Sequence, residues 1–347
     1  MKVLMKGNEA LAEAAIRAGC HHFFGYPITP QTELAAYMSK RMPQVGGTYL
    51  QAESEIAAIN MVLGASAAGV RAMTSSSPGI SLKGEGISYI AGSDLPAVII
   101  NVQRGGPGLG GIQPSQSDYW QATKATGHGD FQILVFAPST VQEMVDLISH
   151  AFDTADKYRM PAMILADGML GQMMEPVELP EEGSVQLPEK EWAAKGHGGK
   201  RPHNIINSLY LTPEKLEELV RERFQRYEIV KRSEQMAEEY LTDDADIVLV
   251  AYGASSRVAR SAVNKAREKG IKAGLVRPIT LWPFPTEALN RAASHAKSFL
   301  AVEMSMGQMV DDVKLAIDCK VPVHFYGRTG GMIPTPAEVL EQIEALL

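Results

Sequence analysis

Cysteine is nearly missing from this chain, with only Cys20 and Cys319 in 347 residues. Two thiols cannot ligate an iron–sulfur cluster that needs four, and neither sits in a CxxC pair of the kind zinc sites use. We therefore expect no metal centre here, and any metal that moves electrons must belong to another subunit. Long apolar runs are missing too. No window approaches the ~20 residues of a membrane span, and the start MKVLMKGNEALAEAAIRAG lacks a basic segment followed by an apolar one. We expect a cytoplasmic protein with no membrane partner. Surplus positive charge is also absent. The net charge of −7 argues against nucleic acid, and the basic run Arg221 to Arg232, broken by Glu222 and Glu228, reads as a solvated helix face. What remains, 45% hydrophobic and 21% charged residues, is ordinary for a globular protein, and the length suggests two domains.

The pattern is α/β. Lys2 to Lys6 is too short to be more than a lead-in, and Gly7 to Ala18 has helical apolar spacing that stops at Gly19. A strand-like HHFFGYP leads into Tyr26-Pro27-Ile28-Thr29-Pro30, where two prolines fix the direction of Thr29, and a helix runs from Gln31 to Met42. Strands are predicted at 70–74, 98–102, 133–136 and 162–166, with a helix over Val141 to Lys157. The first domain then covers residues 1–175. Prolines at 176, 180, 188, 202 and 213 mark a linker, one able to drape over a partner, and a charged helix follows from Pro213 to Leu241, so 176–242 forms the connection. A second α/β domain takes 243–347, with strands at 247–252, 273–276, 299–303 and 323–326 and a closing helix from Pro336.

Three stretches carry candidate chemistry. In QAESEIAAINMVLGAS, Glu53 and Glu55 open a helix of small residues, and a carboxylate there is either a cap or a group placed to handle a proton. Ser75-Ser76-Ser77-Pro78-Gly79 reads as a loop of hydroxyls and exposed backbone N–H groups. Gly106, Gly108 and Gly111 satisfy GxGxxG, but Pro107 interrupts the motif and no helix pattern resumes before Asp118, so we reject a dinucleotide site. That stretch is either a surface loop or a substrate-covering loop in which Arg104 meets an anion; Arg104 could instead pair with Asp118. His128, alone in Gly-His-Gly-Asp, reads as a satisfied loop residue.

YPITPQTE at 26–33, ESEIAAINMVLGAS at 53–66, TSSSPGISL at 74–82, RGGPGLGGIQPSQSDYW at 104–120, VRPITLWPFP at 276–285 and GRTGGMIPTP at 327–336 lie in order along nearly the whole chain. On these, the sequence resembles the α subunit of 2-oxoacid:ferredoxin oxidoreductases, most closely the branched-chain 2-oxoisovalerate type. Trp120 stands where Phe is expected, and Ser305 where Asn is expected in an EMNMGQ run; the second of these leaves the turn at 304–308 open. The resemblance implies a pyrimidine-binding thiamine diphosphate domain followed by a transketolase C-terminal-like α/β domain. It implies CoA-dependent oxidative decarboxylation of a 2-oxo acid to acyl-CoA and CO₂, with electrons passing to ferredoxin.

The resemblance assigns Glu55 to N1′ of the cofactor's aminopyrimidine, with Glu53 a decoy. It assigns Thr29 and Arg104 to the 2-oxo acid, and Pro27, Ile28, Ser75, Ser76 and Gln113 to the walls of the cofactor and substrate pockets. A β subunit would hold the diphosphate through Mg²⁺, a γ subunit is implied, and iron–sulfur clusters would sit in a ferredoxin-like subunit. The sequence has no GDG diphosphate motif of its own. Residues 103–118 supply no second cation for a distal carboxylate, but the β subunit could, so a 2-oxoglutarate enzyme is the alternative, and a catalytically silent structural subunit is another.

Overall fold

Strand and helix alternate from the first residues of the computed structural model, which describes residues 2–124 and 126–347. The first half contains β1 (Val3–Lys6), α1 (Gly7–Arg17), β2 (His22–Gly25), α2 (Thr32–Arg41), β3 (Thr48–Gln51), α3 (Glu55–Ala67), β4 (Ala72–Ser76), α4 (Ile80–Gly92), β5 (Ala97–Gln103), α5 (Tyr119–Thr123), β6 (Leu134–Phe136), α6 (Val141–Tyr158), β7 (Pro161–Asp167), α7 (Gly168–Gln172) and β8 (Met174–Val177). After a stretch without helix or strand come α8 (Pro213–Ser233), β9 (Ala237–Tyr240), β10 (Ile247–Val250), α9 (Gly253–Glu268), β11 (Ala273–Pro278), β12 (Thr280–Trp282), α10 (Thr286–Ala293), β13 (Ser298–Glu303), α11 (Met309–Ala316), β14 (Val323–Gly327) and α12 (Pro336–Glu344).

These strands form a seven-stranded sheet in the order β12-β6-β7-β5-β4-β2-β3, a five-stranded sheet in the order β14-β13-β10-β11-β9, and the small pair β1-β8. The large sheet is parallel except for β12, and the smaller one is parallel except for β9. Every residue of β5 and β7 is buried, which is why these central strands read as continuous apolar runs rather than alternations. The α/β class is as the sequence predicts.

Three elements differ from the sequence reading. Lys2 to Lys6 is not a mere lead-in: β1 pairs antiparallel with β8, Val3 opposite Val177. The charged helix ends at Ser233 rather than Leu241, and Ala237–Tyr240 becomes an edge strand on β11. Past Pro278 the chain adds β12 to the first sheet, so VRPITLWPFP stitches the two sheets together. The connecting segment lies on its own chain, with the Ala194 N–H donating to the Ala67 carbonyl at 2.8 Å and the Arg159 guanidinium over the Trp192 ring. One apolar core extends from the large sheet into Val248, Tyr252, Phe299 and Met309 of the second.

Candidate active site

β5, β4, β2 and β3 are neighbours in the large sheet and run parallel, so their carboxyl ends open on one edge. That is where parallel α/β sheets place ligands. The four segments leaving those ends are the ones singled out from the sequence: 104–118 after β5, 77–79 after β4, 26–31 after β2 and 52–55 after β3.

Glu55 is the first residue of α3. Ser54 is the cap, its hydroxyl accepting from the Ala57 N–H at 3.2 Å, while Glu53 is exposed and accepts only from the Ser54 hydroxyl. Glu55 itself is 6% exposed, and among the described residues nothing donates a hydrogen bond to its carboxylate. With no donor from the described residues, the carboxylate is left for solvent or a bound group to satisfy. The carboxylate lies against Gly79: a Cβ there would stand 2.2 Å from Glu55 Oε1 and 2.6 Å from Ser76 Oγ. Gly79→Ala should therefore displace the carboxylate while leaving the fold intact, lowering turnover by roughly 100-fold, checked by steady-state assay beside the far-ultraviolet circular dichroism spectrum.

The serines are not an exposed loop. Ser75 and Ser76 close β4, and both are fully buried with Ser77. The Ser75 hydroxyl is committed to Gln31 Oε1 at 2.7 Å, and Gln31 in turn donates to the Tyr26 carbonyl, tying β4 to the Pro27-Ile28-Thr29 turn. Ser76 and Ser77 keep hydroxyls without partners. In that turn Pro27 and Thr29 are exposed and Ile28 is half-buried.

Arg104 and Thr29 meet. The guanidinium donates to the Thr29 carbonyl at 2.8 Å and to the Leu109 carbonyl at 3.1 Å, and its buried Nε–H has no partner. Asp118 does not pair with it; that carboxylate accepts from Asn101 Nδ2 at 3.0 Å, and burial raises its pKa. Arg104 makes no ion pair with a carboxylate among the described residues, so two carbonyls aim its charge without neutralising it. It lines a cleft of about 420 Å³ with Pro78, Ser81, Pro107, Asp118 and Met306. Gln113 lies to the side of that lining: its side chain packs on Gly331 and its carbonyl accepts from the Gly105 N–H. The glycine loop leads to no helix before Tyr119.

The second sheet completes the cleft, which the sequence reading did not foresee. Gln116 joins the two, donating to the Tyr252 carbonyl at 2.8 Å and accepting from the Met304 N–H at 3.0 Å and the Ser255 hydroxyl at 2.6 Å. The turn at 304–308 is held by Glu303, wholly buried, which accepts the N–H groups of Gln308, Met309 and Val310. Ser305 adds its hydroxyl to Glu303 and accepts the Gly307 N–H at 3.1 Å, so serine serves where asparagine was expected. His128 is exposed on a different face, against the Ser88 hydroxyl.

Lys83 was also missed. It is completely buried on α4, one turn beyond Gly79, and donates to Thr74 Oγ1 at 2.6 Å and the Ser75 carbonyl at 3.3 Å. A signal was available: Lys83 falls in phase with Ile80, Ile87 and Ile90, on the buried face of its helix. Among the described residues no group of three His, Cys, Asp or Glu side chains is placed to hold a metal, and no helix is long and apolar enough to cross a membrane.

The carboxyl edge of the parallel strands thus brings together a buried carboxylate to which none of the described residues donates and an arginine aimed into a cleft, the class of arrangement an α/β enzyme presents to a ligand. The chain belongs to the pyruvate flavodoxin/ferredoxin oxidoreductase family: the family's thiamine diphosphate-binding model matches residues 13–239, and the pyruvate:ferredoxin oxidoreductase core domain II model matches 245–339. It is 50% identical to ketoisovalerate oxidoreductase subunit VorB of Methanothermobacter thermautotrophicus, over 98% of this chain and 96% of that protein. It is 37% identical to 2-oxoglutarate synthase subunit KorA of the same organism, over 98% and 97%. Among solved structures, 2-oxoglutarate:ferredoxin oxidoreductase from Magnetococcus marinus superposes with a TM-score of 0.90 at 27% identity; it is matched by 99% of this chain, which spans 65% of that chain's length.

Proposed function

We propose that this chain is the α subunit of a 2-oxoisovalerate:ferredoxin oxidoreductase, which converts a branched-chain 2-oxo acid and coenzyme A to acyl-CoA and CO₂ and reduces ferredoxin. The observation that carries the reading is the buried Glu55 carboxylate, without a donor among the described residues and pressed on Gly79 beside the Arg104 cleft. The 50% identity to a ketoisovalerate oxidoreductase subunit favours the branched-chain acid over 2-oxoglutarate.

Bound thiamine diphosphate would supply a carbon nucleophile and accept the electron pair that decarboxylation releases. Glu55 would supply what the protein must, a carboxylate that gives and takes a proton at the aminopyrimidine N1′. Ser76, with a free hydroxyl at the same glycine, and the Pro27-Ile28 turn would hold the ring, whereas Ser75 acts through Gln31. Arg104 binds the 2-oxo acid's carboxylate with its unused N–H groups, and Thr29 orients both. Gln113 braces the loop. Residues 1–175 with 280–282 make the pyrimidine-binding unit, 176–242 the connection and 243–347 the second domain. The diphosphate with Mg²⁺ belongs to a β subunit, the iron–sulfur clusters to a ferredoxin-like subunit, and a γ subunit completes a cytoplasmic complex.

The test is 2-oxo acid- and CoA-dependent reduction of a viologen dye by the co-expressed complex. 2-Oxoisovalerate should outperform 2-oxoglutarate and pyruvate; a preference for 2-oxoglutarate would overturn the assignment. Arg104→Met should raise KM for the acid by roughly 100-fold, the loss of a charge-assisted hydrogen bond, with a smaller change in kcat.

A further inference from the structure

Lys83 has no task in the scheme above, yet its setting is unusual. Its ammonium is wholly buried and both of its acceptors, the Thr74 hydroxyl and the Ser75 carbonyl, are neutral. Lysine is rarely buried without a carboxylate partner, because desolvating the charge is costly. Several charged side chains stand on the surrounding elements: Glu55 at the head of α3, Arg104 and Asp118 beyond β5, Asp167 at the end of β7, and Glu85 on α4 itself. Burial disfavours the Lys83 ammonium and the Glu55 charge favours it, with no direct ion pair to Lys83 among the described residues. Gly79, on which the Glu55 carboxylate rests, and Lys83 are four residues apart on one helical face, so the ammonium and the carboxylate converge on the end of β4.

We propose that Lys83 is a positioning residue for the activating proton, its buried charge holding Glu55 ionised and thereby driving the shared proton onto N1′ of the aminopyrimidine. This rests on the reading that Glu55 meets N1′. The balance is simple: the proton leaves a Glu55 oxygen for N1′, the carboxylate left behind is negative, and the Lys83 ammonium offsets it. An ammonium near a carboxylate stabilises the ionised form, and in a dry site the effect is larger than in water. The ammonium is itself adjustable, since burial pulls Lys83 down to about 7. The Thr74 hydroxyl can accept from the ammonium or donate to the neutral amine, so the hydrogen bond survives either state.

The experiment measures solvent-deuterium exchange at the thiazolium C2 of thiamine diphosphate bound to the assembled complex, which needs neither 2-oxo acid nor electron acceptor. Wild type, Lys83→Met, Lys83→Gln, Glu55→Gln and the Glu55→Gln/Lys83→Met double variant are compared from pH 6 to 9. Lys83→Met and Lys83→Gln should both slow exchange at pH 6 to 7 by roughly tenfold, about one pK unit of lost charge stabilisation. Their deficit should shrink toward pH 9, where wild type also loses the charge. In the Glu55→Gln background Lys83→Met should change nothing further. Deficits that do not vary with pH, or additive effects in the double variant, would reduce Lys83 to a packing role and overturn the proposal while leaving Glu55 in place. Wild-type exchange in Glu55→Gln would overturn the reading on which the proposal rests, and the proposal with it.

Discussion

Glu55→Gln in the co-expressed complex should lower turnover of 2-oxoisovalerate by roughly 10²- to 10⁴-fold, the range a positioned proton-transfer group contributes. The substitution preserves volume and removes only the ability to give up and regain a proton. Among the described residues none donates to this carboxylate, so the amide breaks no hydrogen bond to them, and thermal unfolding should be little changed. Glu53→Gln is the control. Glu53 is exposed two residues earlier and, among the described residues, its side chain accepts a hydrogen bond from the Ser54 hydroxyl alone, so its loss should leave the rate within a factor of about two, as for other surface changes. Near-normal turnover in Glu55→Gln would remove the carboxylate from the chemistry.

That site could be read from the sequence only in part, and the division follows the range of the forces involved. Periodicity is local. It marked α6, whose residues Val141, Met144, Val145, Ile148 and Phe152 lie on one buried face, and the apolar run of β5. Pairing across the chain is not local: nothing in Val3–Lys6 announces a partner at Met174–Val177, and the polar Ala237–Tyr240 becomes a strand only because the edge of β11 is there to receive it. The same distinction separates Arg104 from Gln113. Both lie in one quoted motif, but only tertiary packing turns the guanidinium to Thr29 and lays Gln113 on Gly331. The close approach that makes Gly79 irreplaceable involves a side chain 24 residues away, so its role could not be seen from its own neighbours.

Lys83→Met should stabilise the chain, most strongly below pH 7. In the unfolded chain Lys83 titrates near its ordinary 10.5; in the fold burial pulls it to about 7. Between those values the unfolded state binds the extra proton, so wild-type stability rises with pH through the window of about 7 to 10.5. Below it the penalty is constant and at its largest; above it, gone. Methionine matches the length of the lysine stem and carries no charge, so it escapes the penalty. The gain, after loss of the hydrogen bond to Thr74, should be roughly 2–4 kcal/mol at pH 6 and close to zero near pH 10.5. Urea unfolding of wild-type and variant chains at pH 6, 8 and 10 reads this directly. A variant less stable than wild type at every pH would mean that the ammonium holds the fold together. A gain confined to the acid side, combined with slower C2 exchange, would mean that the fold carries a destabilising charge at the head of α4 for the sake of Glu55, the exchange of stability for activity expected where a site must keep a reactive group dry.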